Sequence, residues 1–500
     1  MLPATGLPAV TREAARRFGD ATAYVAADSW PISYRELDRV SDELAMGLQR
    51  RGLGAGDVLA LVLHNGPEYL FAYLAAAKLG AVTAGVNERL APAERAGILE
   101  IAQPRLVLAS PDLSPDDWDI EIVDSASTVA EVASSLRVAG EAPAERPFDP
   151  DDPVAILFTS GTTGLPKGAL FRASQLQCIT DTDVGDTWGT GGRGLVGTSM
   201  AHLGFMTKLQ GNLRRGGTNF MMRRWRADEA LRISAEQRMS TIAGVPAQFA
   251  LMLRQPDFDA YDLDSVAYLV SGGGPLTPDL AEEARERFGA ALSTRYSCTE
   301  AGIGLGTGFD DPPEDAVLTV GRPHPVVELA LLDEDDRPVP AGEVGQVCLR
   351  SPAVMAEYWR DPEATRAAFT VDGFVRTGDL GWLDDADRLR LVGRSKEMYV
   401  RGGYNVYPVE VEAVLSTHPG VAAVAVVPRG DDVMGEVGVA VIVPRDPGAP
   451  PTLASLREHA GGSIAAYKLP EDLRVVDDLP LTPMEKVDRR ALRRDLEASR

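Results

Sequence analysis

The stretch VLALVLHNGPEYLFAYLAAAKLGAVTAGV, residues 58 to 86, contains three apolar segments separated by turn residues. Its first segment, VLALVL, is short and apolar throughout, which favours a buried strand. The middle segment, PEYLFAYLAAAKLG, has the length and composition of a helix, and AVTAGV returns to a strand pattern. A strand, a helix and a second strand in this order predict a mainly parallel sheet with helices packed against it.

The same alternation continues on both sides of this stretch. Upstream, Ser33 and Glu36 form a capping-box pattern that predicts the start of a helix, which we expect to end near Gly52. Downstream, RLVLA at 105 to 109 and VAILF at 154 to 158 read as further strands. The proline-containing acidic segment 141–153 reads as the loop before VAILF. We therefore predict the α/β fold class for this part of the chain.

The pattern changes near residue 390. Two helical segments, PVEVEAVLSTH and LASLREHA, alternate with the strand-like segments VAAVAVV, VGVAVIV and LRVV. This predicts a compact α+β unit that is long enough to be a separate domain. We divide the chain into a large N-terminal region of layered α/β subdomains, residues 1–385, and a small C-terminal α+β domain, residues 386–500.

Composition excludes several classes of protein. The chain of 500 residues carries a formal net charge of −23, which repels nucleic acid and anionic membrane surfaces at long range. Its three cysteines form no CxxC pair, which argues against a disulfide or zinc framework and suits a reducing cytoplasm. We find no signal-peptide pattern and no apolar stretch long enough to span a membrane. We expect a cytoplasmic protein with a small-molecule substrate.

A loop that follows the VAILF strand has the composition of an anion-binding site. The run FTSGTTGLPKG, residues 158 to 168, combines three glycines, four hydroxyl side chains and one lysine. Glycines let backbone amides converge, hydroxyls add donors, and Lys167 adds a positive charge, so a polyphosphate is the natural ligand. The spacing differs from that of the Walker A loop, because Lys167 follows a proline and precedes a glycine. A plain surface turn is the alternative reading of such a run.

Four further motifs accompany this loop in a fixed order. They are SGGGPL (271 to 276), YSCTE (296 to 300), RTGDLGWLDDADRLRLVGRSKEMYVRGGYNVYPVEVE (376 to 412) and LPLTPMEKVDR (479 to 489). Together the five motifs resemble those of the adenylate-forming superfamily, which includes acyl-CoA synthetases, peptide-synthetase adenylation domains and firefly luciferase. The resemblance extends over nearly the whole chain and is greatest to the acyl-CoA synthetases. It implies a large N-terminal AMP-binding domain and a small mobile C-terminal domain.

The resemblance also implies a two-step reaction. A carboxylic acid first attacks the α-phosphate of ATP and forms an acyl-adenylate and pyrophosphate, and the thiol of coenzyme A (CoA) then displaces AMP. The first step brings anions together, so its catalysis consists chiefly of positioning and charge neutralisation. ATP and CoA are then co-substrates and Mg²⁺ is the metal.

The resemblance assigns the ATP site residue by residue. The β- and γ-phosphates would be held by the loop residues Thr159, Ser160, Gly161, Thr162, Thr163, Gly164 and Lys167. The adenine and ribose would be held by Gly272, Gly273, Gly274, Tyr296, Ser297, Asp379 and Arg394. In these sets Tyr296 would stack on adenine and Asp379 would accept both ribose hydroxyls. Ser297 and Cys298 depart from the family's common YGxTE, and we expect them to narrow the floor of the site without abolishing binding.

The catalytic residues implied by the resemblance are Thr299, Glu300, His202 and Lys486. Thr299 would bond the α-phosphate, Glu300 would hold Mg²⁺, and His202 would lie beside the acyl carboxylate. Lys486 would bridge that carboxylate and the α-phosphate. Glu485 replaces the usual glycine before this lysine, and we expect its side chain to point away.

The second step would use another face of the C-terminal domain. Gly402 and Gly403, in the loop RGGYN, would line the tunnel for the thiol-bearing arm of CoA. The family's hinge turn reads DDADR here, so the hinge would be at Asp385, Ala386 or Asp387.

Three functions follow from the sequence. The leading one is an ATP-dependent carboxylic acid:CoA ligase. The first alternative is an enzyme of a single half-reaction, or one that loads a carrier-protein thiol. The second alternative is an inactive nucleotide-binding scaffold. The sequence names neither the acid, which could be fatty, aryl or polycyclic, nor the oligomeric state.

Overall fold

The structure is a computed structural model that describes residues 5–116, 118–159, 166–274, 276–395, 397–402, 404–431, 433–482 and 486–498. Within these residues the chain forms five β-sheets and fifteen α-helices. The helices are α1 (Leu7–Phe18), α2 (Tyr34–Arg50), α3 (Pro67–Leu79), α4 (Pro92–Ala102), α5 (Ala173–Val184), α6 (Leu203–Met206), α7 (Leu209–Arg215), α8 (Ala227–Glu236), α9 (Pro246–Leu253), α10 (Pro278–Phe288), α11 (Asp315–Leu318), α12 (Pro362–Ala368), α13 (Pro408–Leu415), α14 (Leu453–Gly461) and α15 (Arg489–Ala498).

The stretch 58–86 forms the centre of the largest sheet. Numbered in chain order, the seven strands of this sheet follow the spatial order β18 (Glu357–Tyr358), β8 (Lys167–Arg172), β7 (Pro153–Thr159), β4 (Val82–Gly85), β3 (Val58–Val62), β5 (Leu106–Ala109) and β6 (Ile120–Ile122). Strands β3 to β7 pair in parallel, whereas β8 and β18 are antiparallel additions at one edge. All five residues of β3 and all four of β4 are buried, as expected of parallel strands covered on both faces.

Three smaller sheets complete the N-terminal region. One has the order β2 (Pro31–Ser33), β1 (Thr22–Val25), β10 (Thr218–Met221) and β9 (Arg193–Val196). The next has the order β11 (Thr241–Gly244), β12 (Tyr268–Gly272), β13 (Ala291–Tyr296), β14 (Leu305–Gly306) and β15 (Arg322–Pro323). The third is antiparallel and has the order β16 (Glu328–Leu332), β17 (Gly345–Arg350), β19 (Val375–Leu383) and β20 (Leu389–Arg394).

The C-terminal part has a sheet and a core of its own. Its strands are β21 (Tyr399–Arg401), β22 (Tyr404–Val406), β23 (Val421–Asp431), β24 (Gly435–Pro444) and β25 (Asp472–Val475). The order is β22, β21, β24 and β23, and β25 pairs with β24. Buried side chains from Tyr399 to Leu469 form a hydrophobic cluster separate from those of the N-terminal region.

The fold class predicted from the sequence is confirmed. Helix α2 begins directly after Ser33, whose side chain accepts a hydrogen bond from the Glu36 N–H, and the reciprocal bond completes the capping box. The helices and strands expected beyond residue 390 are present as α13, β23, β24, α14 and β25. The predicted division after residue 385 falls inside the turn between β19 and β20, which are paired strands of one sheet.

Candidate active site

The phosphate-loop sequence joins two paired strands. Thr159 ends β7, Lys167 begins β8, and the two residues are cross-strand partners. This pairing fixes both ends of the loop at the edge where the parallel strands also end. The predicted loop residues Ser160, Gly161, Thr162, Thr163 and Gly164 lie outside the described residues.

Lys167 is linked to Glu300 through an aromatic ring. Its Nζ lies 5.0 Å from the centre of the Tyr358 ring, a distance suited to a cation–π contact. The Tyr358 hydroxyl donates a hydrogen bond of 2.6 Å to Glu300 Oε1. Burial and the neighbouring Glu300 charge raise the pKa of Tyr358, so the hydroxyl stays protonated and remains a donor. The base of the loop and the predicted metal ligand therefore belong to one contact network.

Three predicted nucleotide ligands meet at the end of β13. The Tyr296 hydroxyl donates a hydrogen bond of 2.7 Å to Asp379 Oδ2, and Arg394 Nε donates one of 2.8 Å to Asp379 Oδ1. Asp379 and Arg394 are also cross-strand partners on β19 and β20. A carboxylate that is already oriented by two donors presents its remaining lone pairs in a fixed direction.

The glycine run 272–274 follows β12, next to the strand that carries Tyr296. A Cβ at Gly272 would lie 2.9 Å from the backbone oxygen of Arg295, and Gly273 has φ +77°. Close packing at Gly272 and the left-handed backbone at Gly273 both require glycine. The chain can therefore turn sharply at the carboxyl end of the sheet, where ligands of α/β proteins bind.

The residues after Tyr296 form a half-buried turn. Ser297 Oγ donates to the backbone oxygen of Cys298 at 3.2 Å, and Thr299 and Glu300 follow in the turn. The Glu300 backbone oxygen accepts from Met355 N–H at 2.8 Å, which ties the turn to the chain segment before β18. Burial raises the pKa of the Cys298 thiol well above its usual range, so this thiol is not an activated nucleophile.

His202 lies at the N-terminus of α6, within contact of the segment that follows β4. Its Nε2 lies 2.8 Å from Asn87 Nδ2. Burial, followed by the charges of Lys486 and Arg89, lowers the pKa of His202 to about 4. The imidazole is therefore neutral at physiological pH.

Lys486 approaches the same site from the C-terminal domain. The residue is exposed to solvent, yet protein groups surround it, and this partial desolvation and the Arg394 charge lower its pKa. Asp379 acts on that pKa in the opposite direction. The charge of Lys486 in turn acts on His202, so the two domains contribute to one electrostatic site. Glu485 lies outside the described residues.

The predicted tunnel loop is the turn of a hairpin on the C-terminal domain. Gly402 lies between β21 and β22, with φ +55°, and its N–H donates to the backbone oxygen of Met434 at 2.8 Å. The adjacent Tyr404 is 58% exposed and stacks on Tyr467 with ring centres 4.5 Å apart. Gly403 lies outside the described residues.

The predicted hinge residues Asp385, Ala386 and Asp387 form the tight turn between β19 and β20. The side chain of Asp384 accepts from the backbone N–H groups of Ala386, at 3.0 Å, and Arg388, at 3.1 Å. These bonds, with those from Arg388 and Arg390, lower the pKa of Asp384 to about 2 against the opposing effect of burial. The turn thus connects two strands that pair with each other in one sheet.

The structure also brings forward residues that the sequence reasoning missed. Asn65 follows β3, accepts from the Met200 N–H at 2.9 Å and donates to the Thr198 oxygen at 3.1 Å, so it holds the segment that leads to His202. Asn65 and Asn87 are polar residues just beyond buried parallel strands, a sequence signal that could have identified them. Tyr358 carries no comparable signal, because its strand has two residues.

Two features are absent from the described residues. In those parts of the chain, no group of three or more His, Cys, Asp and Glu side chains is arranged to hold a metal ion. No described helix has both the length and the apolar character that crossing a membrane requires.

Similarity to known proteins agrees with this geometry. Residues 11–359 match the AMP-binding enzyme family, and residues 410–486 match the AMP-binding enzyme C-terminal domain. The chain is 32% identical to a fatty acid–[acyl-carrier-protein] ligase, ScoC, of Streptomyces coeruleorubidus, over 94% of this chain and 93% of that protein. It is also 32% identical to an indoleacetate–CoA ligase of Aromatoleum aromaticum, over 91% of both chains.

The fold of the chain is also similar to that of a solved structure. The chain aligns with ATP-bound MatB from Rhodopseudomonas palustris at a TM-score of 0.87 and 28% identity, covering 99% of both chains. The alignment therefore includes the large N-terminal region and the small C-terminal domain together. Both domain matches, in the expected order, identify the chain as a member of the AMP-binding family of adenylate-forming enzymes.

Proposed function

We propose that the chain is an ATP-dependent carboxylic acid:CoA ligase that works through an acyl-adenylate. The observation that carries this proposal is the hydrogen-bonded set of Tyr296, Asp379 and Arg394, on which the charge of Lys486, from the C-terminal domain, also acts. A cation brought by a separate domain to a nucleotide site suits a reaction in which two anions must meet.

In the first half-reaction a carboxylate oxygen of the acid attacks the α-phosphorus of ATP. The bond from that phosphorus to the bridging oxygen breaks, and pyrophosphate leaves with the electron pair. Lys486 would stabilise the charge that develops between the acyl carboxylate and the α-phosphate, with Thr299 donating to the same phosphate. No proton needs to move, so positioned charge is the main contribution of the protein.

The nucleotide would be held along the edge described above. The loop from Thr159 to Lys167 would bind the β- and γ-phosphates, and Asp379 would accept the ribose hydroxyls. The Tyr296 ring and the glycine run 272–274 would enclose the adenine. The Tyr296–Asp379–Arg394 hydrogen bonds support this placement, because they orient the carboxylate before the nucleotide arrives.

Glu300 fits a magnesium ion that arrives with ATP. Mg²⁺ in such sites is bound by one or two carboxylates together with substrate phosphates, so a site without a cluster of protein ligands is chemically consistent. When bound, the ion would neutralise phosphate charge. Tyr358 would keep Glu300 in place through its hydrogen bond to Oε1.

The second half-reaction would require the C-terminal domain to turn. The CoA sulfur, having lost its proton to solvent, attacks the acyl carbon, and the bond from that carbon to the phosphate oxygen breaks to release AMP. The hairpin at Gly402 and Gly403 would then line the path of the thiol-bearing arm. We propose that the rotation takes place between Arg394 and Tyr399, because this segment connects the last strand of one sheet to the first strand of another.

A carrier-protein thiol is the second candidate acceptor. ScoC, an acyl-carrier-protein ligase, is as similar to this chain as the CoA ligase from Aromatoleum aromaticum is, at 32% identity each. The chemistry of the acyl transfer is the same for both thiols. We place CoA first because the sequence motifs are those of acyl-CoA synthetases, and we place the reaction in the cytoplasm.

Two assays test the proposal. Exchange of labelled pyrophosphate into ATP is measured with a panel of fatty, aryl and polycyclic acids, and we expect stimulation by at least one of them. Purified acyl-adenylate is then supplied with CoA or with a phosphopantetheinyl carrier protein. If no acid in the panel stimulated exchange, adenylation would be contradicted. If the acyl group were transferred only to the carrier protein, that protein would replace CoA as the proposed acceptor.

A further inference from the structure

Asn87 has a fixed amide orientation, which determines the protonation of His202. The residue is 4% exposed and lies two positions after β4. Its Oδ1 accepts a hydrogen bond of 2.9 Å from the backbone N–H of Arg89. A backbone N–H is only a donor, so the oxygen of the amide must face Arg89 and the NH₂ group must face His202.

The orientation of Asn87 assigns the tautomer of His202. An amide NH₂ is only a donor, so His202 Nε2, at 2.8 Å, must accept the hydrogen bond. An imidazole nitrogen that accepts carries no proton, and the proton of the neutral ring is therefore on Nδ1. Asn87 thus selects one of the two neutral forms of the ring.

The surroundings of His202 favour a neutral ring. Burial has the largest effect, and Lys486 from the C-terminal domain and Arg89 from the segment after β4 act in the same direction with their positive charge. A third cation near these two would be unfavourable. A neutral ring leaves the positive charge at this site to Lys486 and Arg89.

We propose that Asn87 is a positioning residue that holds His202 as a neutral, Nδ1-protonated hydrogen-bond donor at the acyl site. His202 then acts by presenting a fixed N–H, and it does not carry a proton between reactants, because its one lone pair is engaged by Asn87. The identity of the acyl site rests on the proposed function, whereas the tautomer rests on the hydrogen bonds alone.

The substitution Asn87→Asp reverses this selection with little change of shape. Aspartate still accepts the Arg89 N–H, but its second oxygen requires a donor, so the proton moves to Nε2 of His202. At low pH the ring is an imidazolium, paired with Asp, and keeps its Nδ1–H. Pairing with a carboxylate raises the pKa of His202 from the value of about 4 that burial, Lys486 and Arg89 produce in the wild type. As the pH rises through that new pKa, Nδ1 loses its proton and the site loses its donor.

The direct test is ¹⁵N NMR of histidine-labelled wild-type protein. The His202 signal is identified by its loss in His202→Gln. We expect the neutral Nδ1–H tautomer, unchanged between about pH 5.5 and 8. An Nε2–H tautomer, or titration near the ordinary histidine pKa, would overturn the proposal. This measurement needs no substrate and no folded variant of Asn87.

The kinetic test compares pH profiles of acid-dependent pyrophosphate exchange. Relative to wild type at each pH, Asn87→Asp should lose on the order of tenfold or more in rate across its new pKa, in the alkaline direction, as expected when a site loses a donor. The double variant Asn87→Asp with His202→Gln should lack this alkaline loss of rate. A wild-type profile for Asn87→Asp would contradict a positioning role.

Asn65→Asp is the matched control. Asn65 is also a buried amide beyond a parallel strand, but its partners are the backbone groups of Thr198 and Met200. Asn65→Asp should lower the stability of the protein without adding a titration to the pH profile of exchange. A new alkaline loss of rate in this control as well would refute a specific role of Asn87. If no acid supports exchange in any variant, the proposed function fails while the NMR result still decides the tautomer.

Discussion

Lys486 differs from an ordinary surface lysine in its surroundings, since Arg394 and Asp379 act on its charge and the neighbouring protein desolvates it. Composition alone would make it a solvated surface charge, because it lies in the basic segment KVDRRALRR. Only the sequence motif marked it for catalysis. The structure adds the direction of the pKa, which lies below the model-compound value of 10.5. A lysine is charged below its pKa, so the activity that needs this charge is present at lower pH and lost as the pH rises.

We therefore predict that Lys486→Ala lowers acid-dependent pyrophosphate exchange by on the order of 10² or more, as the loss of a positioned charge would. Conversion of purified acyl-adenylate to the thioester should remain near the wild-type rate, because the role proposed for this lysine is confined to the first step. The wild-type exchange rate should also fall on the alkaline side at a pH below 10.5. Lys468→Ala, which removes a lysine paired with Glu410 on the same domain, is the control and should change exchange little. Equal loss in both half-reactions of Lys486→Ala would contradict the assignment.

The orientation of the Glu300 side chain is supported by Tyr358. The Tyr358 hydroxyl bonds Glu300 Oε1, and the ring contacts Lys167. We predict that Tyr358→Phe, which keeps the ring and removes the hydroxyl, raises the Mg²⁺ concentration for half-maximal exchange by about tenfold, the usual cost of losing a partner that orients a metal ligand. A titration of exchange against Mg²⁺ measures this shift. An unchanged Mg²⁺ requirement would show that Glu300 does not need Tyr358, either to hold its position or to support exchange.

At the scale of helices and strands, the sequence predicted best those elements that a local interaction determines. The buried strands β3 and β4 followed from apolar runs, and α2 followed from the capping box of Ser33 and Glu36, because both signals are local. The contact between Tyr358 and Glu300 joins residues 58 positions apart through a strand of two residues, so no local pattern announces it. The Asn87–His202 contact spans 115 positions and depends on where two separate segments meet.

The motifs brought Tyr296, Asp379 and Arg394 forward as separate residues, and the structure joins them by hydrogen bonds. Their individual roles toward the nucleotide stay predictions. The hinge residues also stay a prediction: the turn DDADR looks like a flexible connection in sequence, and the strands on either side of it pair with each other. Only the sheet topology distinguishes a hairpin turn from a connection between domains.

The hairpin of β21 and β22 carries the predicted thiol path, and we propose that a bulky side chain in its turn would obstruct that path. We predict that Gly403→Trp blocks thioester formation from purified acyl-adenylate while pyrophosphate exchange stays within about twofold of wild type, since surface changes away from a site cost little. Gly462→Trp is the control, because a Cβ at Gly462 would meet no atom within 4 Å. If exchange and thioester formation fell together in Gly403→Trp, the hairpin would serve both steps and the two-face model would be wrong.

For the whole molecule, the position of the swivel can be tested with proline, which fixes φ and stiffens the backbone. We predict that Lys396→Pro, between Arg394 and Tyr399, slows thioester formation by at least about tenfold and leaves pyrophosphate exchange nearly unchanged, because lid and domain motions set the rate of the step that needs them. Single-turnover assays of each half-reaction measure the two effects.

Asp385→Pro is the matched comparison for this prediction. Residue 385 is the second position of the turn closed by the Asp387 N–H and the Asp384 oxygen, at 2.9 Å, where proline is well tolerated. Both half-reactions should therefore survive. Loss of thioester formation in Asp385→Pro alone would return the hinge to the DDADR turn.

An exposed ion pair links the C-terminal domain to the N-terminal region. Arg445 on the C-terminal domain lies 3.4 Å from Asp279 at the start of α10, and their side chains are 51% and 43% exposed. Pairs so open to water are weak and are screened by salt, with a contribution of at most about 1 kcal/mol. This contact is therefore too weak to hold the two domains in one arrangement by itself, and we expect a rise in ionic strength to weaken it further.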